Sequence, residues 1–359
     1  MTDTPLAIIG AGLAGLTAAR TAHEAGIRSL VLEASDRIGG RIDSIRGSDG
    51  QIVGDLGPTW VWPPFQPGVP RWLERLGLGT FEQYDSGEAV LDGFAERPVC
   101  QPLPGQYGMA RIAAGPGSLV DAMAAELPDD AIQTGHAVNA VRHHDDGRLR
   151  IETAGREPLI AERVLIAAPL RIVAERIQLP ADIGAPLQDM LRAMPTWMAA
   201  QAKAVIRYPR PFWRESGLSG RIASRLGPLF EAHDHTSLDG EAALFGFVAT
   251  PPAQRGAETL RTAILDQLTR CLGPQAAAPT DVVIRDWADA PWICADADRH
   301  GPPEHPSVGP EALRTGHLDG RLWFCAAETA EQSPGLIEGA LLAGEAAARA
   351  AVQGLEGDA

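Results

Sequence analysis

The chain of 359 residues predicts an α/β fold, with a discontinuous, doubly wound Rossmann-like nucleotide-binding domain interrupted by a smaller inserted α+β domain. Three observations predict it. A strand, a Gly10-Ala11-Gly12-Leu13-Ala14-Gly15 turn, a helix and a second strand fill about 30 residues at the N-terminus, the size of one dinucleotide-binding half. The middle of the chain is a succession of alternating, strand-like segments. A last strand and an alanine-rich helix then stand at the very end, so the sheet begun by the first residues is completed only there. The length also exceeds the ~250–300 residues at which single cores stop growing, and neither a repeat nor a low-complexity linker divides it.

Each element has its own signal. Residues 6–9 are a short apolar run, and the helix after the glycine turn stops near Gly26, a residue suited to the C′ position. Residues 29–32 form the second strand, ending at Glu33. From 63 to about 117 the chain is rich in Pro and Gly, with one amphipathic stretch at 72–76. Residues 118–127 read as a helix capped by Ser118. Segments 137–142 and 148–153 alternate, and 164–168 is near-continuously apolar, as a buried strand is. Segment 198–208 alternates again, and 243–249 is another strand. Leu260, Ile264, Leu265 and Leu268 give 257–272 the spacing of a helix. A strand at 280–287, a Pro-rich loop at 301–310, a strand at 322–325 and a helix at 338–352 follow.

Composition narrows the function. With 45% hydrophobic and 21% charged residues the chain is an ordinary globular protein, and its formal charge of −15 speaks against nucleic acid or an anionic membrane as partner. The four cysteines lie far apart without a CxxC pair, which suits a reducing compartment and argues against a disulfide scaffold or zinc site. His233 and His235 flanking Asp234 read as a polar loop, and no metal site is expected. No apolar run reaches the ~18–20 residues of a membrane span, and the first strand starts almost at Met1 with no signal peptide before it. The cytoplasm is the expected location.

The glycine turn carries the first chemistry. Gly10 permits the tight turn, Gly12 lets backbone approach a pyrophosphate, and Gly15 lets the helix pack on the strand. The helix N-terminus, with Leu13 and Ala14 in its first turn, offers free N–H groups to the phosphates. Glu33 is placed to accept hydrogen bonds from ribose hydroxyls. A second pair, Gly39-Gly40 followed by Arg41, extends the motif beyond that of simple nicotinamide dehydrogenases. Finally, of the 31 basic residues only Lys203 is a lysine. Arginine is always charged, whereas lysine is a compact, titratable amine. Strand alternation puts Lys203 on one face with Gln201 and Val205, and leaves both a solvated and a functional position open.

GAGLAG, EASDRIGGR, Asp55-Leu56-Gly57, KAVIRYPRPFWR from Lys203 to Arg214, and the closing FCAAETAEQSPGLIEGALLAGEAAARA together resemble the flavin-containing monoamine oxidase family, over most of the chain. The resemblance implies non-covalently bound FAD in a GR2-type fold, with residues 1–62, 113–175 and 288–359 in the FAD domain and 63–112 and 176–287 in the substrate domain. It implies cofactor contacts from Gly10, Gly12, Leu13, Ala14, Gly15, Glu33, Ala34, Ser35, Gly40 and Arg41. Further contacts fall on Gly57, Pro58, Thr59, Trp60, Val138, Ala168, Trp287, Ala327, Glu328, Gly335, Leu336 and Ile337. Lys203 falls on the family's lysine, which holds a water at flavin N5.

The implied function is FAD-dependent oxidation of an amine: hydride passes from the carbon next to nitrogen to flavin N5, and oxygen reoxidises the flavin with release of peroxide. Trp60, Trp62, Trp292, Ala297 and Leu336 are the candidates for the substrate pocket. Two departures from the family matter. Ala297 and Leu336 stand where mammalian members frame the amine with tyrosines, and Asp296 stands where they attach FAD through cysteine, with Cys294 two residues early. An FAD-dependent desaturase or dehydrogenase acting on C–C or C–N bonds of a larger substrate is the alternative reading, and a catalytically silent FAD-binding protein a third.

Overall fold

The computed structural model describes residues 2–357. The chain opens with β1 (Thr2–Ile9), α1 (Leu13–Glu24) and β2 (Ser29–Leu32), then a hairpin of β3 (Ser44–Arg46) and β4 (Ile52–Asp55). Next come α2 (Gly68–Arg75), β5 (Thr80–Glu82), β6 (Glu88–Asp92), β7 (Val99–Gln101), β8 (Ala110–Ile112) and α3 (Pro116–Ala125). β9 (Ile132–Gln133), β10 (Val138–His143), β11 (Leu149–Thr153) and β12 (Leu159–Ile166) lead to α4 (Leu170–Arg176) and α5 (Ala185–Ala193). β13 (Ala202–Arg207), α6 (Phe212–Glu215), β14 (Leu218–Ser224), β15 (Leu229–Asp234), β16 (Ala243–Val248), α7 (Ala257–Leu272) and β17 (Asp281–Asp286) follow. The short α8 (Asp296–His300), β18 (Leu322–Phe324) and the long α9 (Ile337–Gly357) close the chain.

Among the described residues two seven-stranded sheets organise these elements. The first runs β10-β11-β12-β1-β2-β9, with β18 parallel to the end of β12. Its centre is parallel and buried on both faces, which is why β1 and β12 read as apolar runs. One face is covered by α1, α3 and α9, the other by α4 and α5. The alanines of α1 and α9 let these two helices meet closely, and at Gly344 the approach is closest, since a Cβ there would overlap the Ala14 carbonyl oxygen.

The second sheet runs β17-β13-β16-β15-β14-β6-β7 and is antiparallel apart from the β14/β6 pair. Period-two alternation sorts its side chains. Ala202, Ala204, Ile206, Leu244, Val248 and Ala232 pack against Leu260, Ile264 and Leu268 of α7. The opposite face presents Val205, Phe245 and Phe247 to Leu56 of the first sheet's loops. None of the described helices is long and apolar enough to cross a membrane.

Several elements differ from the sequence reading. Residues 63–117 hold α2 and four strands, β5 to β8, each too short to show a period. The helix read at 118–127 begins at Pro116 instead. Ser118 lies inside it and donates to the Gly115 carbonyl (2.6 Å), so proline in the first turn and not a side-chain cap starts the helix. Residues 233 and 234 are not in a polar loop but at the end of β15, buried. Their polar groups are satisfied inside: the Asp234 carboxylate accepts from Trp213 Nε1 (2.7 Å), Arg214 Nε (2.6 Å) and the Thr236 N–H (2.9 Å). The closing helix extends past both ends of the predicted 338–352.

The α1–α9 contact yields a stability prediction. Gly344→Val forces branched carbon into a space filled by the Ala14 backbone, and overpacking of this kind costs about 1–3 kcal/mol. Thermal unfolding of the protein is expected to shift to lower temperature, and an unchanged melting temperature would show that the two helices separate freely.

Candidate active site

A cavity of about 1170 Å³ runs between the two sheets. Its nucleotide end is walled by backbone. Gly10, at φ +105°, turns the chain from β1 into α1, and Gly15 packs against it so tightly that a Cβ would overlap the Gly10 carbonyl oxygen. The second glycine loop lies across the first: Gly39 N–H donates to Ala11 O (2.8 Å), and Gly40, at φ +58°, stands against Gly12. The N-termini of α1 and α9 both reach this wall through Gly12, Leu13 and Ile337. Glu33 is nearly buried at the end of β2; its Oε2 accepts from the Ala11 N–H (2.7 Å), and Oε1 from Ser35 N–H and Oγ (both 2.8 Å).

The loop after β4 joins the two ends. Asp55 N–H donates to His235 Nε2 (3.1 Å), Leu56 O accepts from Trp287 Nε1 (2.8 Å), and Gly57 O accepts from Lys203 Nζ (2.6 Å). Alternation along β13 aims Lys203 away from α7 and into the cavity, where it is buried. No carboxylate pairs with it among the described residues. Burial, and then the positive charge of Arg41, bring its amine down to about 7. Arg41 itself is held in a two-pronged ion pair by Glu328 (2.5 and 3.0 Å), whose carboxylate is fully buried.

The substrate end is aromatic with one polar cluster. Lys203 stands in cross-strand register with Phe247 of β16, and Phe247 with Glu231 of β15. A bulge between Leu229 and Glu231 turns two consecutive residues, Phe230 and Glu231, onto the cavity wall. Phe230 stacks on Phe247 (5.7 Å between centroids), and the Lys203 Nζ lies 5.7 Å from the Phe247 ring. Trp60 meets His233 edge-on (4.7 Å) and is fixed by its Nε1, which donates to Gln83 Oε1 (2.7 Å). Around Leu336, Trp197 and His305 form a second edge-to-face pair at 4.6 Å.

Gly10, Gly12, Leu13, Ala14, Glu33, Ala34, Ser35, Gly40, Arg41, Gly57, Pro58, Thr59, Trp60, Trp62, Val138, Ala168, Lys203, Trp287, Trp292, Ala327, Gly335, Leu336 and Ile337 all reach the cavity wall. Gly15 and Glu328 lie one layer behind it. One expectation needs correction. Ala297 is exposed on α8 and off the wall, because ungapped counting across an irregular loop slips. Trp292 is on the wall, with the Arg176 guanidinium of α4 over its ring (5.0 Å). Phe230, Glu231, His233 and Phe247 were missed; alternation along β15 and β16 carries the signal of Glu231, His233 and Phe247, whereas Phe230 reaches the wall only through the bulge. Trp197, Met198 and His305 stand in loops without a period; Met198 is held at φ +56°, a strained backbone for a side-chain-bearing residue.

The residues fit a dinucleotide. The cavity exceeds the ~300–1,000 Å³ of single small-molecule sites, and part of its wall is glycine backbone and two helix N-termini. Thr59 Oγ1 on this wall is buried without a partner.

A model of flavin containing amine oxidoreductases matches residues 93–352, and one of NAD(P)-binding Rossmann-like domains matches residues 8–76. The chain is 25% identical to a probable flavin-containing monoamine oxidase A of Dictyostelium discoideum, covering 94% of this chain and 95% of that protein. It is 25% identical to putrescine oxidase of Kocuria rosea, covering 96% and 94%. The solved structure of cyclohexylamine oxidase from Brevibacterium oxydans IH-35A superposes with a TM-score of 0.83 at 20% identity, covering 99% of this chain and 100% of that one.

Because Lys203 is the sole lysine, selective ¹⁵N-lysine labelling yields one side-chain signal. That signal is expected to titrate near pH 7, and a midpoint above 9 would refute the desolvated site. The sign for stability follows. Folded Lys203 releases its proton near 7 and the unfolded chain near ~10.4, so the folded state binds fewer protons in between and gains stability as pH rises through that window.

Proposed function

Since the chain belongs to the family of flavin containing amine oxidoreductases, and is thus an FAD-dependent enzyme acting on amines, we propose that it is an oxidase, returning its electrons to oxygen with release of peroxide. The observation that carries this reading is Lys203, a lone lysine buried at the junction of both cavity ends. When bound, FAD supplies the redox chemistry, accepting hydride from the carbon next to the amine nitrogen and passing electrons to oxygen. Everything else falls to side chains and backbone.

The N-termini of α1 and α9 and the two glycine loops hold the pyrophosphate, and Glu33 holds the ribose hydroxyls. Arg41 is charge-balanced by Glu328, so the phosphates rely on backbone N–H groups more than the sequence suggests. Trp60, Phe230 and Phe247 present flat apolar faces to the carbon skeleton. Glu328 balances Arg41 and Asp43 lies 3.5 Å from Arg285, so among the described residues no free carboxylate beside Lys203 favours the protonated form of the substrate amine over the neutral, oxidisable one. Lys203 Nζ, anchored on Gly57 O, keeps valences free for a water, and in its protonated form offers a desolvated positive charge where oxygen is reduced.

Anaerobic bleaching of the flavin by a panel of amines, followed by peroxide assay on admitting air, tests the function; bleaching without peroxide would point to a dehydrogenase. Lys203→Met is expected to keep the protein yellow and to slow reoxidation by tenfold or more, the scale of ~1.4 kcal/mol in the barrier. Lys203→Arg should not restore the rate, and equal rates in wild type and Met variant would remove Lys203 from the oxygen reaction.

Attachment of FAD is also testable. Cys294 is buried away from the cavity wall with its thiol pushed up to about 11, chiefly by desolvation, which suits neither nucleophilic attack nor a covalent link. Acid precipitation is expected to leave all the FAD in the supernatant. Flavin remaining with the pellet would implicate a covalent bond.

A further inference from the structure

With FAD as the cofactor, we propose that Arg176 is the platform for its adenine: the guanidinium, backed by the Trp292 ring, receives the flat face of the base at the edge of the cavity. Five arginines reach the cavity wall, and four of them are balanced by carboxylates. Glu328 pairs with Arg41, Arg37 and Arg285 stand 3.8 and 3.5 Å from Asp43, and Arg221 stands 3.9 Å from Glu231. Arg176 is the fifth. No carboxylate and no hydrogen-bond acceptor among the described residues meets it. Its contact is with Trp292, whose ring centroid lies 5.0 Å from the guanidinium carbon. A guanidinium is planar, delocalised and weakly hydrated, so its face suits a flat π system. Arg176 is exposed and yet belongs to the wall, which puts it at the edge of the cavity.

Its place in the fold points to the base and not to the phosphates. The chain enters α4 beside the glycine turn, where a Cβ on Gly10 would come 3.4 Å from the Ala168 nitrogen. Arg176 ends the helix that Leu170 begins, about 9 Å further along the axis at ~1.5 Å per residue. There the chain leaving α4 runs beside β10: Gln178 N–H donates to Asn139 O (2.9 Å) and Val141 N–H to Gln178 O (2.8 Å). Val138, at the start of β10, is on the wall, and the His136 N–H just before it donates to the carbonyl of Glu33 (2.7 Å), the acid placed for the ribose. The wall thus runs from glycine turn to Glu33 to Arg176, and the adenosine half of the cofactor runs from phosphate to ribose to base. Arg171 of the same helix pairs with Asp298, and Glu175 accepts from the Asp296 N–H (3.1 Å), so the segment that follows Trp292 is fastened to α4. Trp292 then serves the cofactor and not the amine.

The test compares the FAD-loaded enzyme with enzyme loaded with a base-free analogue, in which the flavin diphosphate ends in ribose. Release of either ligand on dilution is followed by recovery of flavin fluorescence, a readout independent of turnover. Wild type is expected to release FAD at least tenfold more slowly than the analogue, the scale of stacking one base on a flat side chain. Arg176→Ala removes an exposed side chain; it should raise FAD release to near the analogue's rate and leave the analogue's own rate unchanged. Arg176→Lys, which keeps the charge without the plane, should behave like the alanine variant. Equal release of both ligands from wild type, or FAD release unchanged in Arg176→Ala, would overturn the assignment. So would an equal acceleration of both ligands in Arg176→Ala, which would put the guanidinium on the phosphates, or full recovery of slow release in Arg176→Lys. Chromatography of the flavin released from the enzyme as purified identifies the cofactor separately, so a failure of FAD and a failure of the platform give different results.

Discussion

The molecule depends on how one three-residue loop is gripped. Asp55 ends the hairpin of the nucleotide half and Leu56 and Gly57 follow it, yet each is held by a side chain from the strands of the second sheet or the residue just after one: His235, Trp287 and Lys203. All three bonds are buried, so a break in any of them strands a polar group away from water. The histidine works as an acceptor of the Asp55 N–H, which fixes it in the neutral form. Burial and the nearby Arg111 lower its affinity for a proton in the same sense. The Asp55 carboxylate 3.4 Å from the same nitrogen is therefore a neighbour and not an ion-pair partner. Through this loop the second sheet decides where the walls of the nucleotide end lie.

The second sheet does two jobs with its two faces. The face toward α7 is aliphatic and small, built of alanine, leucine and isoleucine, and gives the sheet a core of its own. The other face is spent on the cavity, and there aromatic rings alternate with a lysine, a histidine and a glutamate. His233 and Glu231 pair with each other, but Phe247 stands between Lys203 and Glu231 in the same row. A direct lysine–glutamate pair would have stabilised the ammonium and raised its proton affinity. Separation leaves the amine uncompensated, and desolvation then dominates its titration.

What the sequence made legible was local or unique. The glycine turn and Glu33 lie within one β-α-β unit, where spacing along the chain is spacing in space. The lone lysine announced itself by composition. The C-terminal strand and helix were legible because an apolar run and an alanine-rich period do not depend on context. Illegible parts depended on partners: Asp234 and His233 look like loop residues until Trp213, Arg214 and Glu231 satisfy them. Position-counting failed at Ala297 because the segment around it is irregular, and no period guards the count there. The pairing of the Glu328 carboxylate with Arg41, 287 residues away, likewise had no signal in the sequence.

The split layout of the nucleotide half has a kinetic consequence. On a ribosome the glycine turn emerges first, but β18 and α9 emerge last. Until then the end of β12 lacks one of its neighbours, and the side of α1 that α9 covers lies open. The intervening sheet can fold as a unit, because its strands and α7 are contiguous apart from β6 and β7. The nascent chain thus carries an open, sticky half-site through most of its synthesis. Such long-range closure makes the final step slow and exposed to aggregation, so truncations near the C-terminus should damage yield far more than the distance from the substrate end suggests.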